Sequence, residues 1–163
     1  MNEKIIRFII ITTPPKQIQD EINVLRYEIS RIGDCREALN YPPHITLRTG
    51  ALVPENETPV YFKLFDKHIK ELKPFSITTQ GIDGGIYQSQ GESKHYFYYR
   101  INLTPELVEF HKRLLSFELY KKQEQTYYSP HLTLAFEDLS DEKYKEVKQY
   151  LGEKMQSARN YYW

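Results

Sequence analysis

The sequence predicts an α+β fold built from two similar halves, and three observations carry that expectation. A strand, helix, strand, helix, strand order occurs and then recurs. Three Thr-Pro pairs stand at the openings of helical patterns, and one five-residue phrase appears twice. With 163 residues and 40% hydrophobic content, the chain is long enough to bury one sizeable core. About 80 residues per half is small for two independent cores. The reading is therefore one domain over residues 1–163, with pseudo-repeat halves at about 1–82 and 95–163.

The elements follow in order. Ile5 to Thr12 reads as a first strand. Thr13-Pro14, Thr58-Pro59 and Thr104-Pro105 each offer Thr as N-cap and Pro as first helical residue. Behind the first, Ile18, Ile22, Leu25, Ile29 and Ile32 mark one helix face; behind the second, Val60, Leu64, Phe65, Ile69 and Leu72 do the same. Leu107, Phe110, Leu114 and Phe117 mark a third helix, and Ser140-Asp141-Glu142 opens a fourth through Tyr144, Val147 and Leu151. Further strands are expected at His44 to Thr49, Phe75 to Ile82, Tyr96 to Leu103, His131 to Phe136 and Ala158 to Trp163. Gly81 to Lys94 reads as the loop joining the halves. Its glycines lack the spacing and the following helix of a phosphate-binding motif, which leaves turn chemistry.

Composition narrows the function classes. Apolar runs are far shorter than the ~20 residues of a membrane span, and the first strand carries no small-residue cleavage site, so the expectation is a cytoplasmic protein. The lone Cys35 can form no internal disulfide, in keeping with a reducing compartment. The 22 Lys and Arg balance the 22 Asp and Glu, which argues against a coat for long nucleic acid and leaves room for a local basic cleft. The expectation is a monomer with room for a small phosphate ester as its partner.

The repeated phrase is Pro43-His44-Ile45-Thr46-Leu47 and Pro130-His131-Leu132-Thr133-Leu134. On a strand, His and the Thr two residues later share a face roughly 7 Å apart, while the intervening apolar residues face the core. Chance repetition of such a phrase is expected in roughly one in 10⁵ to 10⁶ chains of this composition. A displacement reaction needs one proton removed from the attacking group and one delivered to the leaving group. Two imidazoles, ordinarily titrating near pH ~6.5, can be neutral and protonated together at working pH. Two threonine hydroxyls can donate hydrogen bonds to negative charge that grows on a reacting group. No cofactor or metal is needed for this chemistry, and the sequence lacks clustered ligand spacing for zinc.

Paired His-x-Thr phrases 87 residues apart on strands of a duplicated fold resemble the 2H phosphoesterase superfamily, which includes 2'-5' RNA ligase-like proteins and cyclic nucleotide phosphodiesterases. The resemblance implies a two-lobed fold with antiparallel sheets around a central cleft and helices outside. It also implies metal-independent chemistry on 2',3'-cyclic phosphates or 2'-5' linkages of a small nucleotide or RNA terminus, with His44 and His131 catalytic and Thr46 and Thr133 as phosphate ligands. Which histidine is acid and which is base stays open, as does hydrolysis against ligation. A binding protein of the same fold without turnover is the alternative.

Several residues extend the candidate site. Arg48 continues the face of His44 and Thr46 and could reach a phosphate; a solvated strand-end arginine is the competing reading. Relatives place an arginine after the second phrase, where Ala135-Phe136 stands here. Tyr87, Tyr127 and Tyr128 are candidates for stacking on a base, against packing alone. His68, His95 and His111 have no threonine partner and are read as non-catalytic, and Cys35 as an ordinary thiol.

Overall fold

The computed structural model describes residues 4–70, 72–116 and 128–155. In order the elements are β1 (Ile5–Thr12), α1 (Lys16–Gly33), β2 (Ile45–Pro54), α2 (Thr58–Lys70), β3 (Thr79–Ser89), β4 (Glu92–Ile101), α3 (Pro105–Ser116), β5 (His131–Phe136) and α4 (Asp141–Met155). Short 3-10 turns occupy Glu37–Asn40 and Glu55–Glu57. The strand expected at Ala158 to Trp163 and the Phe117 end of the third helix lie outside the described residues.

All five strands join one antiparallel sheet in the order β1-β2-β5-β4-β3. β1 pairs with β2 and β5 with β4 over most of their lengths, whereas β2 and β5 share one registered pair, Ile45 with Leu132. Two half-sheets thus meet at the strands that carry the repeated phrase. Within the described residues the halves share a sheet and a core instead of forming two separate lobes.

The core lies on one face of that sheet. Ile45, Leu47, Leu132, Leu134, Phe97, Tyr99 and Ile101 are buried there against Ile22 and Ile29 of α1, Leu107 and Leu114 of α3, and Val147 and Leu151 of α4. The α1 periodicity holds in full, with Ile18, Leu25 and Ile32 packed at the margin. On α2 the buried stripe is Tyr61, Phe65 and Ile69, and Val60 and Leu64 are exposed, contrary to the expected face. The reason is aromatic packing: Tyr61 stacks on Phe8 at 5.6 Å between centroids and on Phe65 at 6.5 Å, which rotates the helix toward β1.

Helix starts divide by cap chemistry. Thr104 Oγ1 accepts from the Leu107 amide at 3.3 Å, and Ser140 Oγ from the Lys143 amide at 3.3 Å, as expected of N-caps. Thr13 does not cap α1. Pro15 occupies that position without a side-chain bond, because two successive prolines carry the extended chain two residues further.

The stretch expected as a connecting loop is the β3–β4 hairpin. Its turn is Gln90-Gly91, both at positive φ (53° and 84°), the two-residue geometry that matches strand twist. Gly84 and Gly85 are strand residues. A Cβ at Gly84 would lie 2.6 Å from the Phe97 ring, and one at Gly85 would lie 2.6 Å from the Tyr96 hydroxyl. The glycines let the rings of β4 lie across the β3 backbone.

Candidate active site

The repeated phrase sets its side chains by strand alternation. Ile45, Leu47, Leu132 and Leu134 enter the core, and His44, Thr46, His131 and Thr133 take the opposite face. The Ile45–Leu132 pair fixes their relation across the seam. Continuing that antiparallel register sets His44 opposite Thr133 and Thr46 opposite His131. The histidines occupy one diagonal of a four-residue patch and the threonines the other.

Both imidazoles are held alike. His44 Nδ1 is 2.8 Å from the Pro42 carbonyl, and His131 Nδ1 is 2.9 Å from the Ser129 carbonyl, two residues back in each case. A carbonyl can only accept, so Nδ1 carries the hydrogen in both rings. Nε2 is left as the atom for substrate. The buried prolines Pro43 and Pro130 stand between each histidine and its carbonyl and fix the extended approach that makes the contact.

Both motif strands then bulge. Between Ile10 and Ile11 of β1, the β2 partners step from Arg48 to Thr46, and between Phe97 and Tyr98 of β4 the β5 partners step from Ala135 to Thr133. Each bulge turns two consecutive side chains inward, Leu47 with Arg48 and Leu134 with Ala135. Arg48 consequently leaves the face of His44 and Thr46. It is 5% exposed and donates to the Leu114 carbonyl at the end of α3. The expectation that Arg48 reaches a phosphate fails because sequence alternation does not see the bulge. The same device returns Phe136 to the open face.

Two adjoining cavities flank the patch. One, of about 420 Å³, is bounded by Tyr87, Tyr96, Tyr98, His131, Thr133 and Phe136 among others. The other, of about 470 Å³, is bounded by Ile9, Ile11, Tyr41, Pro42, His44, Thr133 and Phe136, with Arg26 behind. Thr133 and Phe136 belong to both, so each histidine has its own cavity with Thr133 between them. Thr46 is half-buried and lines neither.

The remaining candidates separate cleanly. Tyr87 lines the His131 cavity and donates to Glu137 Oε1 at 3.5 Å; burial first, then the Glu137 charge, pushes its phenol up. Tyr128 does not reach either cavity. It stacks on His111 at 3.7 Å between centroids, and burial pushes its phenol up to about 12. Tyr127 lies outside the described residues. His111 donates its Nδ1 hydrogen to the Leu47 carbonyl within the core at 2.8 Å, and His95 is buried against Asp141 and Tyr144. Cys35 is buried, and burial followed by the Asp138 charge pushes its thiol up to about 11.

The structure adds residues that sequence reasoning missed. Tyr96 and Tyr98 form a stacked pair 5.5 Å apart, and Tyr98 meets the His131 ring edge-on at 5.3 Å. Their alternation along β4 was the available signal. Arg26, 3% exposed with its guanidinium pKa lowered by burial, donates to the Tyr41 carbonyl at 2.9 Å and to the Ala38 carbonyl. It thereby holds the turn that delivers Pro42 and His44. A charged residue in the register of Ile22 and Ile29 was its signal. Glu137 has φ +67° with the Asp138 amide donating to the Phe136 carbonyl at 2.9 Å, a three-residue γ-turn of the rarer hand. Such a conformation costs on the order of 1–3 kcal/mol in a non-glycine residue.

Comparison with known proteins gives the family. Residues 14–160 match the family model described as the 2'-5' RNA ligase superfamily. The chain is 31% identical over 138 residues to a Bacillus licheniformis protein named "Putative phosphoesterase", covering 85% of this chain and 75% of that one. A Bacillus cytotoxicus protein of the same name is 32% identical over 143 residues, covering 85% of this chain and 73% of its own. No helix among the described residues is long and apolar enough to cross a membrane. With a family match across nearly the whole chain and relatives similar along most of their length, this protein belongs to the 2'-5' RNA ligase superfamily.

Proposed function

We propose that the protein is a metal-independent phosphodiesterase acting on small cyclic phosphates or 2'-5'-linked nucleotides, with His44 and His131 as its acid–base pair. The observation that carries this reading is the mirrored pair of imidazoles, each fixed through Nδ1 to its own backbone carbonyl. Strand geometry sets their Cα atoms about 8–9 Å apart across the diagonal, room for one phosphate between them. In hydrolysis, one neutral Nε2 takes a proton from water as the water oxygen bonds to phosphorus. The other, protonated, Nε2 gives its proton to the sugar oxygen as that P–O bond breaks. One proton is taken and one given, and the pair exchanges roles for the reverse direction. Thr133, between the cavities, and Thr46 donate to the non-bridging oxygens as charge grows there.

The relatives' name supports the phosphoesterase class. The mirrored bonds and bulges also support reading the chain as two pseudo-repeat halves around a shared cleft.

The test is a panel of a nucleoside 2',3'-cyclic phosphate, a 2'-5' dinucleotide, a cyclic dinucleotide and a 3'-5' RNA oligomer. We expect turnover of at least one small member, unaffected by EDTA, with a bell-shaped pH profile. His44→Ala and His131→Ala should each lose on the order of 10³-fold or more in kcat with unchanged thermal unfolding. Near-native activity in either variant, or a requirement for added divalent metal, rejects the mechanism. Tight binding of several members without product supports the non-catalytic binding protein instead.

A further inference from the structure

Glu137 poses a problem that the phosphodiesterase chemistry leaves unsolved. It follows Phe136 and meets Tyr87, both lining residues of the cleft read here as taking a phosphate, and a carboxylate near a phosphate repels it. It also sits at φ +67° in a γ-turn, where glycine would be relaxed. The turn is enforced from both sides. Phe136 is fixed by the sheet, and the Asp138 carboxylate accepts from the backbone amides of Arg36 and Glu37, capping the 3-10 turn before the first motif. Leu139 beyond it is buried. Glu137 is thereby held exposed beside two residues that line the His131 cavity, Phe136 before it in the chain and Tyr87, whose hydroxyl hydrogen bond it accepts.

That cavity has the walls of a base site. Tyr87 and Tyr96 lie 5.9 Å apart, Tyr96 and Tyr98 stack, and Phe136 closes the side toward His44. From Thr133 to Glu137 is about 13 Å of extended strand, less the bulge. That is the reach from a phosphate across its sugar to the far edge of a purine. The Glu137 carboxylate is met there by the Tyr87 hydroxyl at 3.5 Å, a long bond, and by the charge of Lys94, whose ammonium is 2.8 Å from Glu92.

We propose that Glu137 is a specificity residue that selects guanine in this cavity. A carboxylate has two acceptor oxygens side by side and no donor. Guanine alone presents two adjacent donors, N1–H and the N2 amine, to match them. Adenine and cytosine offer one donor beside a ring nitrogen that a carboxylate repels, and uracil one donor between two carbonyls. Stacking on the tyrosines is indifferent to base and supplies affinity, while Glu137 supplies choice.

This inference deepens the phosphodiesterase reading and rests on it for the placement of the phosphate at Thr133. Its test has two arms. In the first, kcat/KM is measured for guanosine, adenosine, cytidine and uridine 2',3'-cyclic phosphates with the native protein, Glu137→Gln and Glu137→Gly. In the second, calorimetry measures binding of the four nucleoside 2'-monophosphates to the same proteins. We expect guanosine to be preferred on the order of 10- to 100-fold by the native protein, and the preference to fall to within about threefold in both variants. Glu137→Gly should unfold at an equal or higher temperature, which separates recognition from folding. Guanine-selective binding by the native protein with no turnover of these substrates or of the earlier panel rejects the phosphodiesterase reading and keeps this assignment. Turnover or binding with equal use of the four bases, or a guanine preference that survives Glu137→Gln, overturns it, as does failure to bind any of the four.

Discussion

Each functional side chain here is defined by one or two contacts, so single substitutions separate its roles. Thr133 lines both cavities and Thr46 lines neither, so their hydroxyls are unequal. Thr133→Ala should lower kcat on the order of 10²- to 10³-fold, with Thr46→Ala lowering it less, and Thr→Ser at either position should recover most of the rate. Equal losses for Ala and Ser at position 133 would assign the effect to the methyl group. Cys35 gives a pH prediction of definite sign. Its thiol is raised from 9.0 to about 11 in the fold, burial being the larger cause and the Asp138 charge the next. The raised value means that the folded state favours the neutral thiol. Its contribution to stability is complete below pH 9 and is lost as the pH rises toward 11. Iodoacetamide should therefore label native Cys35 slowly at pH 8.5 and label the urea-unfolded chain much faster; equal rates would contradict the burial argument.

At the scale of elements, the β3–β4 hairpin couples backbone to site through two neighbouring glycines with different consequences. A Cβ at Gly84 meets the ring of Phe97, 3% exposed in the core, and the Tyr96 carbonyl at 2.9 Å, neither of which can retreat. A Cβ at Gly85 meets the hydroxyl end of Tyr96, which can swing. Gly84→Ala should destabilise by about 1–3 kcal/mol. Gly85→Ala should cost less stability while raising KM, because Tyr96 is displaced from the cavity wall. Urea midpoints paired with steady-state kinetics would check this, and the reverse pattern would show that the rings pack otherwise in solution. The hairpin also shows why this region resisted sequence reading. Glycines interrupt the apolar alternation that marks a strand, and a Gln-Gly turn lacks the Asn or Asp that usually announces it.

Across the whole molecule, the two half-sheets meet at Ile45 and Leu132, both fully buried, and this seam holds the two histidines in register. Leu132→Ala should cost about 2–5 kcal/mol, and below its lowered unfolding temperature it should lose more kcat than KM, since the seam sets the distance between the two histidines proposed as acid and base. An unchanged kcat would show that the active geometry is held by other contacts.

The sequence alone determined which residues form the four-residue patch, because the phrase containing His44 and Thr46 recurs at His131 and Thr133 and alternation on a strand puts each pair on one face. It also determined β1 and β5 to the residue, the α1 stripe and the caps at Thr104 and Ser140, all set by local spacing and local hydrogen bonds. Only the tertiary structure decided the fate of Arg48, the rotation of α2, the strand character of Gly84 and Gly85, and the left-handed turn at Glu137. Bulges arise from pairing with a second strand, and rings choose their partners across the fold. A backbone is held in an unfavourable conformation only by anchors as distant in sequence as Asp138 and Arg36.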